Sequence, residues 1–190
     1  MANRTYLFAC NQKPTGKPSP GRIIVGLSEW NYDIPLAYRI LVSGNPETSF
    51  SSIWTEPADP SVVPQHMAVV GESEAGLELL KGVFRRITLP QAQRVINESL
   101  EFLDRTDRKL GYYFLEPAEL FAMDDDEEIP ELNRKLCASL ASLDQEIDHV
   151  VAAINAGSEE GLQMFRDFGF GNWSTVLYYD IDEPRPENES

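Results

Sequence analysis

His66 and His149 are the only imidazoles in this chain of 190 residues. A serine or cysteine nucleophile needs a base within hydrogen-bond reach, so hydrolysis of that kind would have to use one of them. Gly26-Leu27-Ser28-Glu29-Trp30 has the outline of a nucleophile elbow around Ser28. It lacks the second glycine, and no helix follows it directly. Metal chemistry falls short in a similar way. Asp144 and Asp148 are four apart and share a helical face, with His149 alongside. The apolar register turns that face outward, and two carboxylates with one imidazole lack a further ligand. The run Asp124, Asp125, Asp126, Glu127 and Glu128 has neither the spacing nor the internal turn glycine of a calcium loop. It reads as a solvated stretch of mutually repelling charge. No glycine-rich phosphate loop is present. The expectation is that there are no catalytic residues, no metal ligands and no cofactor.

The densest group of specific residue types lies in Gly26–Pro46, GLSEWNYDIPLAYRILVSGNP. Glu29, Trp30, Tyr32, Asp33 and Arg39 would supply an enzyme site if this corner closed a cleft. The competing reading is structural: Asp33 and Pro35 start a helix, and Trp30 and Tyr32 fill space beside it. Trp30, Trp54 and Trp173 each stand next to a polar turn residue. That suits a core tryptophan with its N–H satisfied at an edge, and it also suits an interface anchor.

Charge constrains partners more firmly than any motif. The net charge is −15. Residues 1–110 hold 12 acids and 12 bases, whereas residues 111–190 hold 19 acids and 4 bases. The excess is therefore confined to the C-terminal part. Such a field repels phosphate backbones and anionic lipid, so nucleic acid and membrane surfaces are disfavoured as partners. The basic residues Arg85, Arg86, Arg94, Arg105, Arg108 and Lys109 are expected to pair with acids on the same helices. A basic protein surface fits the acidic part, and solubility alone is the plainer explanation of it.

The elements that must position these groups follow from pattern. Arg4–Cys10 and Arg22–Ser28 read as strands, pairing across a proline- and glycine-rich loop. A short helix after Asp33 carries Leu36, Ala37, Ile40 and Leu41 on one face and stops at Gly44 and Pro46. Ile53-Trp54 is a candidate short strand and Met67–Val70 a clearer one. Two helices follow, with Leu77, Leu80, Phe84 and Ile87 on one and Ala92, Val95, Ile96, Leu100 and Leu103 on the other. Thr88-Leu89-Pro90-Gln91 is placed as a capping box between them. Tyr112–Leu115 is strand-like. Leu132, Leu136, Leu140, Leu143, Ile147, Val150 and Ile154 then step by three and four, which predicts one long amphipathic helix near 130–156 ending at Gly157. A short helix bearing Leu162, Phe165 and Phe168 precedes a last strand, Ser174–Tyr179. Residues 180–190 read as an acidic disordered tail. The fold class is α+β: a small, mostly antiparallel sheet packed with helices, one domain over 1–179. With no signal-peptide core and no apolar run of membrane-spanning length, Cys10 and Cys137 read as reduced thiols in a cytoplasmic protein.

Met1-Ala2-Asn3-Arg4-Thr5-Tyr6-Leu7-Phe8 together with Ser28–Pro35 resembles an uncharacterised bacterial family of unknown function. Its members open on a similar MANR(S/T)YL stretch and carry an NYDIP corner before a helix. Phe8 and Trp30 stand where tyrosine is commoner in it, and the likeness fades beyond about Thr88. The resemblance implies no activity and transfers no catalytic residue. In composition the chain is similar to small acidic immunity proteins of bacterial toxin systems. The expected function is non-enzymatic protein binding of the immunity or antitoxin kind, with Asp124, Asp125, Asp126, Glu127 and Glu128 meeting a basic partner such as a toxin. A small hydrolase-like enzyme at the corner and a purely structural domain are the alternatives.

Overall fold

A computed structural model describes residues 3–15, 19–51, 66–105, 108–123 and 128–169. Among them are five strands in one sheet of order β2-β1-β5-β4-β3, every neighbouring pair antiparallel. β1 (Arg4–Cys10) and β2 (Ile24–Asn31) form a hairpin. Its loop is tied by Asn11, which donates from Nδ2 to the Gly21 carbonyl at 2.9 Å and accepts the Ile23 N–H at 2.8 Å. The chain then runs through helix α1 (Leu36–Val42) to a second hairpin on the far edge, β3 (Glu47–Phe50) and β4 (His66–Glu72). Helices α2 (Ser73–Arg86) and α3 (Pro90–Leu103) follow. β5 (Tyr112–Glu116) then slots between β1 and β4, joining the two hairpins.

Alternation along the strands gives the sheet two apolar faces. Leu7, Ala9, Val69, Tyr113 and Leu115 point to one side, where they meet buried residues of α1 and α2 in the main core. Tyr6, Phe8, Cys10, Ala68, Val70 and Phe114 point to the other and form a smaller cluster. Burial on both faces explains why these strands read as near-continuous apolar runs. β3 carries little of that signal in its sequence, Glu-Thr-Ser-Phe, and forms because β4 pairs with it.

The helices pack unusually close to the sheet and to each other. A Cβ on Gly71 would lie 2.2 Å from the Val42 carbonyl oxygen, and one on Gly76 would lie 1.8 Å from that of Leu41. Only glycine lets the last turn of α1 rest on β4 and α2 at this distance.

Past β5, α4 (Ala118–Phe121) leads to α5 (Ile129–Ser139), a 3₁₀ turn over Leu140–Ser142, α6 (Asp144–Ala156) and α7 (Glu159–Asp167). The single helix expected near 130–156 is thus two helices. Ser139 and Ser142 turn their hydroxyls back onto the carbonyls three residues earlier, of Leu136 and Ser139, where the chain tightens. The apolar stripe survives the break: Leu136, Leu140, Leu143, Ile147 and Ile154 are all buried. Val151, not Val150, completes it on α6. Gly157, at φ 64°, ends α6 as its sequence position implies. Ser158 caps α7 by accepting the Gly161 N–H at 3.1 Å.

The Thr88 capping box does not form. Pro90 takes the first helical position of α3, and the turn before it is clamped from α6. Asn155 accepts the Thr88 N–H at 2.7 Å and donates to the Arg86 carbonyl at 2.8 Å. The strand expected at Ser174–Tyr179, the tail at 180–190 and Ile53-Trp54 lie outside the described residues.

Candidate functional site

The corner after β2 is built from a strand end, a tight reversal and a helix start. Glu29 pairs with Arg4 of β1 at 3.4 Å, and Asn31 accepts from the Arg4 Nε at 3.2 Å. Glu29 and Tyr6 are cross-strand partners, so Glu29 belongs to the face of the smaller cluster. Trp30 points the other way, half-buried against the main core. Tyr32 has a backbone φ of 62° and is 61% exposed. Its N–H is held by the Asn3 carbonyl at 2.9 Å. Asp33, two residues before the Pro35 cap position, accepts the Ile34 N–H at 2.7 Å, and α1 opens at Leu36 with no side-chain cap.

Arg39 lies one turn into α1, on the main-core side of the sheet. Its two terminal nitrogens grip both oxygens of Glu146 on α6, at 2.7 and 2.5 Å. Glu29, Tyr32, Asp33 and Arg39 therefore do not converge. Glu29 and Arg39 sit on opposite faces of the sheet, each with its own ion-pair partner. Ser28 is fully buried, and Tyr38 donates its hydroxyl to the Ser28 Oγ. That oxygen is not presented to a substrate.

A polar cluster absent from the sequence-based expectations lies beside the corner, at the same N-terminal end of β1. Tyr6 donates to the Glu119 Oε1 at 3.0 Å, and the Arg4 backbone N–H to the Oε2 at 3.3 Å, which ties α4 to β1. Glu116, buried beside them in the cross-strand row of Tyr6, accepts from the Ser51 Oγ at 3.1 Å. Burial, and then the hydrogen bond to Glu119, push the Tyr6 hydroxyl up to about 12. It stays a proton donor and is no base near neutral pH. The strand alternation of Tyr6 and the acid closing Tyr-Tyr-Phe-Leu-Glu were the available signals. Neither places α4 over the sheet.

Among the described residues no group of three or more His, Cys, Asp or Glu side chains could hold a metal ion. Asp148 is taken by Arg86 at 2.5 Å, and His149 is exposed beside it. Burial raises both thiols, that of Cys10 to about 12. Of the acidic run, Glu128 is exposed just before α5, and 124–127 lie outside the described residues.

The surface charges sort into pairs and remainders. Arg4, Lys13, Lys81, Arg86, Arg94 and Lys109, all from the first 110 residues, each face a carboxylate within 3.4 Å. Arg94 and Lys109 find acids nearby in sequence, as expected. Arg86 instead crosses to Asp148 on α6. In the later helices Glu128, Asp144, Glu159 and Glu160 are exposed and form no ion pair among the described residues.

A family model described as Domain of unknown function (DUF7822) matches residues 11–157. The chain belongs to that family. The matched span runs from the first hairpin loop to the glycine that ends α6, so it holds the corner, the central strand and the core helices. No curated protein and no solved structure matches the chain. The family's description assigns no activity. Among the described residues no helix is long and apolar enough to cross a membrane.

Proposed function

We propose that this DUF7822 protein is a non-enzymatic binding protein whose acidic later helices meet a basic surface on another protein, in the manner of an immunity or antitoxin partner. The observation that supports it is the distribution of free charge. Arg4, Lys13, Arg39, Lys81, Arg86, Arg94 and Lys109 of the first 110 residues are held in ion pairs, while Glu128, Asp144, Glu159 and Glu160 are exposed and form no ion pair among the described residues. The field outside the molecule is then set by carboxylates. Complementary charge speeds encounter and makes association salt-sensitive.

The dispersal of the corner residues favours binding over catalysis. Each side chain that could act as acid, base or nucleophile is either held by a structural partner or stands alone. The run 124–128 belongs to the same proposed surface by sequence. Affinity purification of the protein from its native host at low and at high salt is the test. A basic protein is expected in the low-salt eluate and depleted at high salt, and recovery of no protein at either salt would remove the reading.

A further inference from the structure

β2 lies at the edge of the sheet yet is buried like an interior strand. Among the described residues it hydrogen-bonds to β1 and to no other strand. An antiparallel strand turns every second N–H and C=O away from its neighbour, so an open edge leaves a row of backbone groups in water. Here Leu27 and Ser28, adjacent in β2, are both 0% exposed, backbone included, and Gly26 beside them is buried. Packing on the two faces of a sheet does not cover the backbone at its rim. β2 has a bulge at Leu27 but neither of the residues that most often protect an edge, lysine and proline.

The chain itself leads back to this edge. α7 ends at Phe168, which is buried and packs on the Phe84 ring of α2. The Phe168 carbonyl accepts the Ala37 N–H at 3.0 Å, in the first turn of α1. A Cβ on Gly169 would lie 2.9 Å from the Pro35 Cβ. The backbone is thus held beside the start of α1, just past Asn31, where β2 ends. The stretch from Gly169 to Ser174 can span about 17 Å, against about 14 Å for a fully extended Asn31–Pro35, which the turn at Tyr32 shortens. Ser174–Tyr179, Ser-Thr-Val-Leu-Tyr-Tyr, has the β-branched and aromatic residues of a strand. At about 3.3 Å per residue it is long enough to run along most of β2. Entering at the Asn31 end it would run toward Ile24, antiparallel to β2 like the described pairs of the sheet.

We propose that Ser174–Tyr179 is a sixth strand, added antiparallel to the edge of β2 that β1 leaves open. The sheet is then closed on that side by the protein's own C-terminal segment. That segment lies beyond residue 157, where the family match stops. Closure of this edge is independent of the acidic surface, and it withholds β2 from strand addition by another chain.

The test is NMR of the full, isotope-labelled chain. Cross-strand NOEs are expected between Ser174–Tyr179 and Ile24–Asn31, with the two segments running in opposite directions. Absence of these NOEs overturns the inference, as does a parallel register. The same NOEs seen between labelled and unlabelled chains in a mixed sample would assign the strand to a second copy and overturn it too. Amide exchange in a variant carrying Val176→Pro and Leu177→Pro gives a second measurement, because one of the two lost donors faces β2 in either register. The amides of β2 should exchange about ten-fold faster, the scale of a lost edge hydrogen bond, while those of β5 keep their rates. Unchanged exchange in β2 overturns the closure, and equal acceleration in β5 overturns it by making the segment part of the core.

Discussion

Replacing Gly76 with alanine tests the account of how the helices sit on the sheet. The new Cβ would lie 1.8 Å from the Leu41 carbonyl oxygen and 2.7 Å from its carbon. Non-bonded carbon contacts settle near about 3.5 Å, so α1 and α2 must separate by roughly 1–2 Å at this point. The obstacle is backbone, so no rotamer change relieves it. Alanine in a helix interior gains about 0.5–1 kcal/mol over glycine, whereas overpacking a tight contact costs about 1–3 kcal/mol, occasionally more. With so short an approach the cost takes the upper end, and the net loss is about 2 kcal/mol. For a domain of this size that lowers the thermal midpoint by about 4–8 °C. Gly82, on the same helix, is the internal control, because a Cβ there meets nothing within 4 Å. Gly82→Ala should therefore gain the propensity term alone, about 0.5–1 kcal/mol. Urea unfolding of both variants is the assay. Equal midpoints for Gly76→Ala and Gly82→Ala would refute the close-approach reasoning.

Removing the Tyr38 hydroxyl, as Tyr38→Phe, takes a donor from the fully buried Ser28 Oγ. The expected loss is about 1–2 kcal/mol in denaturant unfolding, and a neutral result would show that the pair is not formed. Arg39→Ala removes a two-pronged but partly exposed pair with Glu146. It should cost about 0.5–1 kcal/mol at low salt and less at high salt, read from midpoints in the two conditions. Burial holds Tyr6, Tyr38 and Tyr113 above the ordinary phenol value of 10.0, Tyr6 at about 12. Because the unfolded chain releases those protons first, stability is full below pH 10 and falls as pH rises from there through the folded-state values. Tyr6→Phe should flatten the fall between pH 10 and 12 in a pH series of unfolding curves, and an unchanged slope would count against the burial of Tyr6. Cys10 should resist a thiol reagent in the native state and react on unfolding, while the half-buried Cys137 reacts first. Mass mapping of the labelled residue checks the order.

The sheet was largely legible in the sequence because its strands are buried on both faces and so appear as apolar runs. β1, β2, β4 and β5 each follow from such a run, whereas β3 could be found only through its pairing with β4. The stripe of Leu136, Leu140, Leu143 and Ile147 was legible as well. The break inside it was not, because a 3₁₀ turn keeps the same three-and-four spacing while the axis changes. The cap at Thr88 was misplaced because its partner, Asn155, lies on a helix far along the chain. The corner was less legible than its residue types suggest. Strand alternation separates Glu29 from Trp30, and nothing local announces that Glu146 will claim Arg39. The pairing of Tyr6 with Glu119 was hidden for the same reason.

The place of β5 in the sheet has a consequence for synthesis. Among the described residues the sheet's middle strand is its last in chain order, Tyr112–Glu116, and it alone hydrogen-bonds the β1–β2 ribbon to the β3–β4 ribbon. As the chain leaves the ribosome, both ribbons wait with one edge open until residue 116 has emerged. Neither is a stable unit alone. A nascent or truncated chain ending before Tyr112 thus exposes two unsatisfied strand edges at once, the form most prone to pair with other chains. The insertion of this one strand converts two separate ribbons into a single body.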